Sequence, residues 1–154
     1  MSRKQSLCVV LGVLTLRLGF GPALANEHDR HGCSEARLNG LYIFRASGFV
    51  TPTGGAPIPK AINELIRFDG DGAVSVPGVT VAVGSQVTVL PVGMPGTYTV
   101  ADLVPPDGAC SGTLTFGTNG PSFNLVFALH AGTIWMIQTN ANNVFEGTAT
   151  KLAR

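Results

Sequence analysis

Apolar and polar residues alternate with a period of two along most of the chain, which is the pattern of strands with one buried face. In the segment 41–46, Tyr42 and Phe44 share one face, whereas Ile43 and Arg45 share the other. Equivalent patterns predict further strands over 62–68, 73–76, 79–83, 86–92, 97–101, 111–116, 123–129, 133–139 and 144–152. Almost no segment has the 3.6-residue period of a helix, so the pattern predicts an all-β domain.

Turn sequences separate these strands at intervals of about 8–12 residues, a spacing typical of β-sandwiches and barrels. The segment 69–72, Asp-Gly-Asp-Gly, predicts a tight hairpin because glycine readily adopts the positive φ that such turns need. The segment 51–60 holds three prolines and two glycines, which predicts a long exposed loop. A meander of about eight strands has two exposed edges, and closure removes both. We therefore predict a single antiparallel, mostly up-and-down barrel over 39–154, with a β-sandwich as the alternative.

The first 25 residues have the organisation of a secretory signal peptide. Arg3 and Lys4 are followed by the apolar run 7–16 and by the small-residue cleavage pattern Ala-Leu-Ala at 23–25. The mature chain is then expected to start at Asn26, in the periplasm or in the extracellular medium. The apolar run is too short to span a bilayer, which takes about 20 residues, so no membrane span is expected in the mature form. An uncleaved membrane anchor is the alternative.

Cleavage at this position changes both the cysteine count and the charge. Cys8 is removed, and the remaining pair, Cys33 and Cys110, predicts one disulfide in an oxidising compartment. This disulfide would tie a polar leader over 26–38, ending in one helical turn, to the barrel. Three of the ten basic residues are also lost, so the nine acidic residues give the mature chain a net charge of −2. Such a charge gives no support to a nucleic-acid partner.

The aromatic and aliphatic strand faces predict the interior of the barrel. Twelve large side chains are expected to face inward: Tyr42, Phe44, Ile66, Phe68, Tyr98, Leu114, Phe116, Phe123, Leu125, Phe127, Trp135 and Ile137. An eight-stranded barrel is just wide enough to be filled by side chains or to hold one small ligand, and both interpretations stay open here. If the barrel is hollow, the expected ligand-binding residues are Tyr42, Phe44, Phe68, Tyr98, Phe127 and Trp135.

Few side chains suit catalysis, and no residue is predicted to be catalytic. His130 ends a predicted strand, where it is either a general base or a solvated rim residue. Glu64 shares a face with apolar residues of its strand; we expect a solvated carboxylate near the strand start, and the alternative is a buried carboxyl with a raised pKa. The segment 69–72 lacks the remaining ligands of a calcium loop. His28 and His31 have a metal-binding spacing that is usually incidental on a polar leader, so neither a metal nor a cofactor is predicted.

Several strand and turn sequences together resemble those of a known group of proteins. They are the segments 39–44, 67–72, 96–100, 109–114 and 147–149. In these segments the chain resembles small exported bacterial proteins of unassigned function with lipocalin-like or allene-oxide-cyclase-like β-barrels. The resemblance covers nearly the whole mature chain and implies a barrel fold, and it carries over no catalytic residue.

Three functions remain open from the sequence. The first is the binding of a small apolar ligand, expected from the aromatic strand faces of an exported protein. The second is a protein-interaction or inhibitor module that uses the 51–60 loop, because prolines would lower the entropic cost of ordering it on a partner. The third is a cyclase-like or isomerase-like enzyme with an apolar barrel pocket and a reacting group among Glu64, Tyr98 and His130.

Overall fold

The computed structural model describes residues 32–90, 93–104 and 108–153. It contains a 3-10 turn, Glu35–Arg37, and nine strands: β1 (Asn39–Val50), β2 (Ile58–Asp69), β3 (Ala73–Val83), β4 (Gln86–Leu90), β5 (Met94–Val104), β6 (Ala109–Phe116), β7 (Ser122–Ala128), β8 (Thr133–Gln138) and β9 (Asn143–Lys151). The predicted signal peptide and the leader residues 26–31 lie outside the described residues. Within the described residues, no helix is long and apolar enough to cross a bilayer.

Eight of the strands close into an antiparallel barrel in the order β1-β2-β3-β5-β6-β7-β8-β9, and β9 pairs back with β1. The predicted up-and-down barrel is therefore confirmed. β4 is an additional strand outside the barrel. It pairs along the same edge of β3 as β5 does, but with a different part of that strand. Residues 73–76 of β3 pair with β5, whereas residues 79–83 of β3 pair with β4. Since β4 ends the strand order, its outer edge has no strand partner among the described residues.

Positive-φ glycines and a register shift explain where the strands turn and bend. Gly70 and Gly72 have φ values of 93° and 96°, as the predicted hairpin between β2 and β3 requires. The segments 73–76 and 79–83, predicted as separate strands, are parts of the single strand β3. The β2–β3 register shifts between Leu65 and Arg67, opposite the Pro-Gly pair at 77–78. A proline is tolerated at such an irregularity because its missing N–H breaks no regular ladder bond there.

The inward faces of the strands form one hydrophobic core. Its largest fully buried side chains are Tyr42, Phe44, Phe68, Phe127, Phe145, Leu38, Ile66, Leu114, Leu125 and Ile134. Ten of the twelve side chains expected inside are buried. The exceptions are Trp135 and Ile137, which are 56% and 52% exposed on the outer surface, so the expectation that they face the interior is wrong. β8 is apolar on both faces, and its inward positions are taken by Ile134 and Met136.

One end of the barrel is closed by the plug, the segment 32–38 that precedes β1. Cys33 and Cys110 form the predicted disulfide, with their Cα atoms 5.5 Å apart. The Glu35 carboxylate accepts a hydrogen bond of 3.1 Å from the Val100 amide of β5, and Leu38 is fully buried under the turn. The plug is therefore held by a covalent bond, a polar contact and an apolar anchor.

The loop after β1 is shorter than the sequence predicts. Residues 51–57 form it, whereas Ile58, Pro59 and Lys60 already belong to β2. Pro59 precedes the first β2–β3 residue pair, Lys60 with Val83, so its missing N–H leaves the ladder intact.

Candidate functional site

The aromatic residues expected to bind a ligand inside the barrel instead pack against one another. Tyr42 and Tyr98 each contact Phe68 edge to face, with ring centroids 5.3 Å and 5.0 Å apart. Phe44 makes the same kind of contact with Phe123 at 5.7 Å. Such geometry adds about 0.5–1.5 kcal/mol per pair to the burial of the rings. These side chains, with the fully buried Phe127, are the packed core of the barrel.

Both core tyrosines have their hydroxyl groups satisfied by the backbone. The Tyr42 hydroxyl donates to the Ala131 carbonyl at 3.0 Å. The Tyr98 hydroxyl accepts from the Gly70 amide at 3.0 Å and donates towards the Leu38 carbonyl at 3.0 Å. Burial, followed by the charge of Tyr98, raises the pKa of Tyr42 to about 12, and burial also raises the pKa of Tyr98. Both residues are neutral structural donors at physiological pH.

Glu64 lies on the inward face of β2, and the expectation that it is solvated is wrong. β2 begins six positions before it, so Glu64 lies in the middle of the strand between its cross-strand neighbours Phe44 and Val79. Its side chain is 6% exposed, and its Oε1 atom has no hydrogen-bond partner in the described part of the chain. Burial therefore raises the pKa of Glu64 to about 7.

Nearer the end of the barrel opposite the plug, a chain of polar contacts crosses the interior. The Lys60 ammonium donates to the Gln138 side-chain oxygen at 3.0 Å and lies 4.3 Å from the centre of the Phe145 ring. The Gln138 amide in turn donates to Asn140 at 3.0 Å. Burial lowers the pKa of Lys60. The oxygen and the nitrogen of the buried Gln138 amide are thus both hydrogen-bonded, as polar groups in a low-dielectric site require.

The three residues considered for catalysis are not brought together. His130 is exposed in the turn between β7 and β8, not in a strand. The Tyr98 hydroxyl is bound to the backbone beneath the plug. Glu64 lies four residues along β2 from Phe68, which contacts Tyr98, and this is about 13 Å at the usual strand rise. These positions give no support to an enzyme that combines the three side chains.

A large concavity lies on the outside of the barrel, a position that the sequence did not indicate. This outer groove lies between the outward faces of β7–β8 and of β2–β3, with β1 and β9 between them, and has a volume of about 860 Å³. Apolar side chains line both sides: Val126, Trp135 and Ile137 from β7 and β8, and Ala61 and Ala82 from β2 and β3. Trp135, expected inside the barrel, is the largest exposed side chain of the groove.

Strand register aligns the groove residues in two rows across six strands. One row runs through Val126, Trp135, Thr148, Arg45, Asn63 and Thr80, and the next through Asn124, Ile137, Glu146, Ser47, Ala61 and Ala82. The rows cross the β1–β9 seam at Gly147. A Cβ atom there would overlap the Arg45 carbonyl and the Ala46 side chain, so glycine permits the close approach of the two strands in the groove.

The polar side chains of the outer groove are available to a ligand. They are Arg45, Ser47, Asn63, Thr80, Asn124, Glu146 and Thr148. Within the described ranges, none of these side chains makes a hydrogen bond or ion pair with another protein group. Six of the seven are exposed and Thr148 is half-buried, so their polar atoms can reach solvent in the free protein. A ligand that covers the exposed indole can replace this water with its own hydrogen bonds.

No family model matches the chain. No curated protein and no solved structure matches it either. The site must therefore be interpreted from its own chemistry. Across the described residues, no group of three or more histidine, cysteine, aspartate or glutamate side chains is placed to hold a metal ion.

Proposed function

We propose that the protein is an exported binding module for a small ligand and that the outer groove is its binding site. The observation that carries the proposal is the exposed Trp135, which lies beside unpaired polar side chains in a concavity of about 860 Å³. Sites for small molecules usually measure about 300–1,000 Å³, with apolar lining and a few polar groups that orient the ligand. Val126 and Ile137 would contact the apolar part of the ligand together with Trp135.

Several features favour the outer groove over the barrel interior as the ligand site. Five of the six residues first expected to bind a ligand are buried in the hydrophobic core, and displacing them would disrupt packing that stabilises the fold. Trp135, the sixth, is already exposed. A ligand in the groove therefore gains contacts without losing those of the core.

Export is supported by two independent features. The first 25 residues have the pattern of a cleavable signal peptide, and the Cys33–Cys110 disulfide is of a kind that persists in oxidising compartments. We propose a periplasmic or extracellular location on these grounds.

The binding proposal can be tested with the neutral hydrophobic probe N-phenyl-1-naphthylamine. Trp135 is the only tryptophan of the chain, so energy transfer from it to the bound probe reports on the groove directly. We expect saturable uptake that the Trp135→Ala variant weakens about tenfold or more, measured by probe fluorescence. Val144→Ala is the control, because Val144 is 73% exposed and lies outside the groove. Equal uptake by the two variants would contradict the assignment.

A protein-interaction module is a second candidate, and one observation favours it. Phe49 and Val144 are cross-strand neighbours, 47% and 73% exposed, at the base of the 51–57 loop. Exposed apolar pairs beside a proline-containing loop suit a protein contact. Replacing both residues by serine is expected to abolish capture of a partner from an extract of the source cells while leaving the thermal midpoint within a few degrees. Unchanged capture would exclude this surface.

A further inference from the structure

We infer that the ligand of the outer groove is a neutral oligosaccharide, an inference that rests on the proposed binding function. The groove offers a flat aromatic face, a set of unpaired amides and hydroxyls, and a balanced pair of charges. Each of these features corresponds to one property of a sugar chain.

The Trp135 indole supplies the flat face. It is 56% exposed, and its neighbours across β7 and β9 are Val126 and Thr148, which leave its ring open to the groove. Pyranose rings carry C–H groups on one face and hydroxyl groups around the rim. Such a ring can cover an indole with its apolar face while its hydroxyl groups point to either side. A rigid aromatic anchor of this kind loses little conformational entropy on binding.

The unpaired polar side chains decide between a sugar and a purely apolar ligand. An apolar occupant would take water from Asn63, Asn124 and their polar neighbours without replacing those hydrogen bonds. Each polar group that is buried without a partner opposes binding, so an apolar ligand that covers these groups binds more weakly than a ligand that can pair them. Hydroxyl groups both donate and accept, and they can pair with amides and hydroxyls alike.

The charges of the groove favour an uncharged ligand. Arg45 and Glu146 are the two charged residues that line it, and they have opposite signs. A phosphate-bearing or otherwise anionic chain would be attracted by one and repelled by the other. Both side chains can instead make charge-assisted hydrogen bonds to neutral hydroxyl groups.

The shape of the surface favours a chain of sugars over a single ring. A second cavity of about 400 Å³ adjoins the groove and shares Ser47, Ala61 and Ala82 with it. Phe49 lines this second cavity and is 47% exposed, so it is a second aromatic platform. From Trp135, Phe49 lies two strands away and four residues along β1, which is about 16 Å over the sheet. One ring cannot contact both platforms.

The test is a titration of the mature, disulfide-bonded protein with neutral hexasaccharides. The panel is the β-1,4-linked oligomers of glucose, xylose, mannose and N-acetylglucosamine and the α-1,4-linked oligomer of glucose. Binding is followed by Trp135 fluorescence and by isothermal titration calorimetry. We expect at least one member to bind with a dissociation constant below about 1 mM, and the affinity to change little with ionic strength.

Three variants locate the binding. Trp135→Ala should weaken it about tenfold or more, and a double Asn63→Ala, Asn124→Ala variant should weaken it about three- to tenfold. Leu103→Ala should leave it unchanged, because Leu103 is exposed on β5, which contributes no residue to either cavity. Calorimetry is needed for Trp135→Ala, since that variant has no tryptophan.

The outcomes separate this inference from the binding function. If N-phenyl-1-naphthylamine binds at Trp135 and no hexasaccharide binds at about 10 mM, the sugar inference is wrong and the binding function stands. If neither the probe nor any sugar binds, both are wrong. Sugar binding that survives Trp135→Ala unchanged would also overturn the inference, because it would place the site elsewhere.

Discussion

Replacing the buried Glu64 by glutamine is expected to remove a large pH dependence from the stability of the barrel. The Glu64 carboxyl is 6% exposed between Phe44 and Val79, and its Oε1 atom has no hydrogen-bond partner in the part of the chain that the structure describes. Burial raises the pKa of this group from 4.5 to about 7. The folded state therefore holds the proton more tightly than the unfolded state.

The direction and the size of the effect follow from this difference in pKa. Between the two pKa values the unfolded carboxyl loses its proton while the folded one keeps it, so the free energy of unfolding falls as the pH rises. The full loss is about 3 kcal/mol, at 1.36 kcal/mol per pKa unit, and about 2.5 kcal/mol of it falls between pH 5 and pH 8. Above the folded pKa both states are ionised, and the contribution of Glu64 becomes constant. The same group thus favours folding most at acidic pH.

Urea unfolding of the native protein and Glu64→Gln at several pH values from 5 to 8 measures the effect. The native protein should lose about 2.5 kcal/mol more than the variant over this range. Glu146→Gln is the matched control, since Glu146 is an exposed carboxylate on the outer surface, and its profile should run parallel to that of the native protein. A Glu64→Gln profile that is also parallel to the native one would refute the burial of an ionisable carboxyl at this position.

Three further predictions concern the seam, the plug and the free edge. Gly147→Ala should destabilise the fold by about 1–3 kcal/mol in urea unfolding, because the added methyl group overlaps β1, whereas Gly132→Ala, whose methyl group meets nothing within 4 Å, should not; equal effects would contradict the close approach. Replacing Cys33 and Cys110 together by serine should lower the unfolding free energy by up to about 4 kcal/mol, since the disulfide spans 77 positions, and an unchanged denaturation midpoint would exclude that role. Val89→Lys should slow aggregation in light-scattering assays without changing the thermal midpoint, because Val89 is 75% exposed on β4, whose outer edge has no strand partner among the described residues, and unchanged aggregation would show that this edge is not its origin.

The fold class could be predicted from the sequence because its signals are local and repeated. Alternation marks the strands, turn residues mark the hairpins, and a short meander leaves few topologies besides a barrel or a sandwich. The Cys33–Cys110 bond could also be predicted, since removal of the predicted signal peptide would leave only those two cysteines. The outward orientation of Arg45 and Arg67 follows from their position opposite the aromatic faces, and both are exposed.

The orientation of β8 could not be predicted because the strand is apolar on both faces. Ile134 and Met136 alternate with Trp135 and Ile137, so the period-two pattern has no polar face to place outside. Only the pairing with β7 and β9 decides it, and that pairing depends on the whole barrel. Glu64 was misplaced for a different reason: the prolines up to Pro59 suggested a later strand start than Ile58, which put Glu64 near the start of the predicted strand.

The outer groove was beyond prediction because no segment of the sequence contains it. Its residues come from six strands, and they align only through the register of five strand pairs. The concavity also depends on the close approach at Gly147, which looks in the sequence like an ordinary strand glycine. Strand topology brings together the residues of a binding surface on a sheet. The residues of a core, in contrast, can be recognised from the alternation of apolar and polar positions along each strand.

The β1–β9 seam has a consequence for how the chain acquires its structure. Tyr42 pairs with Lys151, 109 positions later, whereas most other strand pairs join neighbours along the chain. A ribosome-bound chain that stops before Asn143 has no partner for the far side of β1, and its ring of strands stays open. Such a high contact order slows folding, since the entropy of closing a long loop is lost before the last contacts form. Closure of the barrel therefore waits until the final strand has been made.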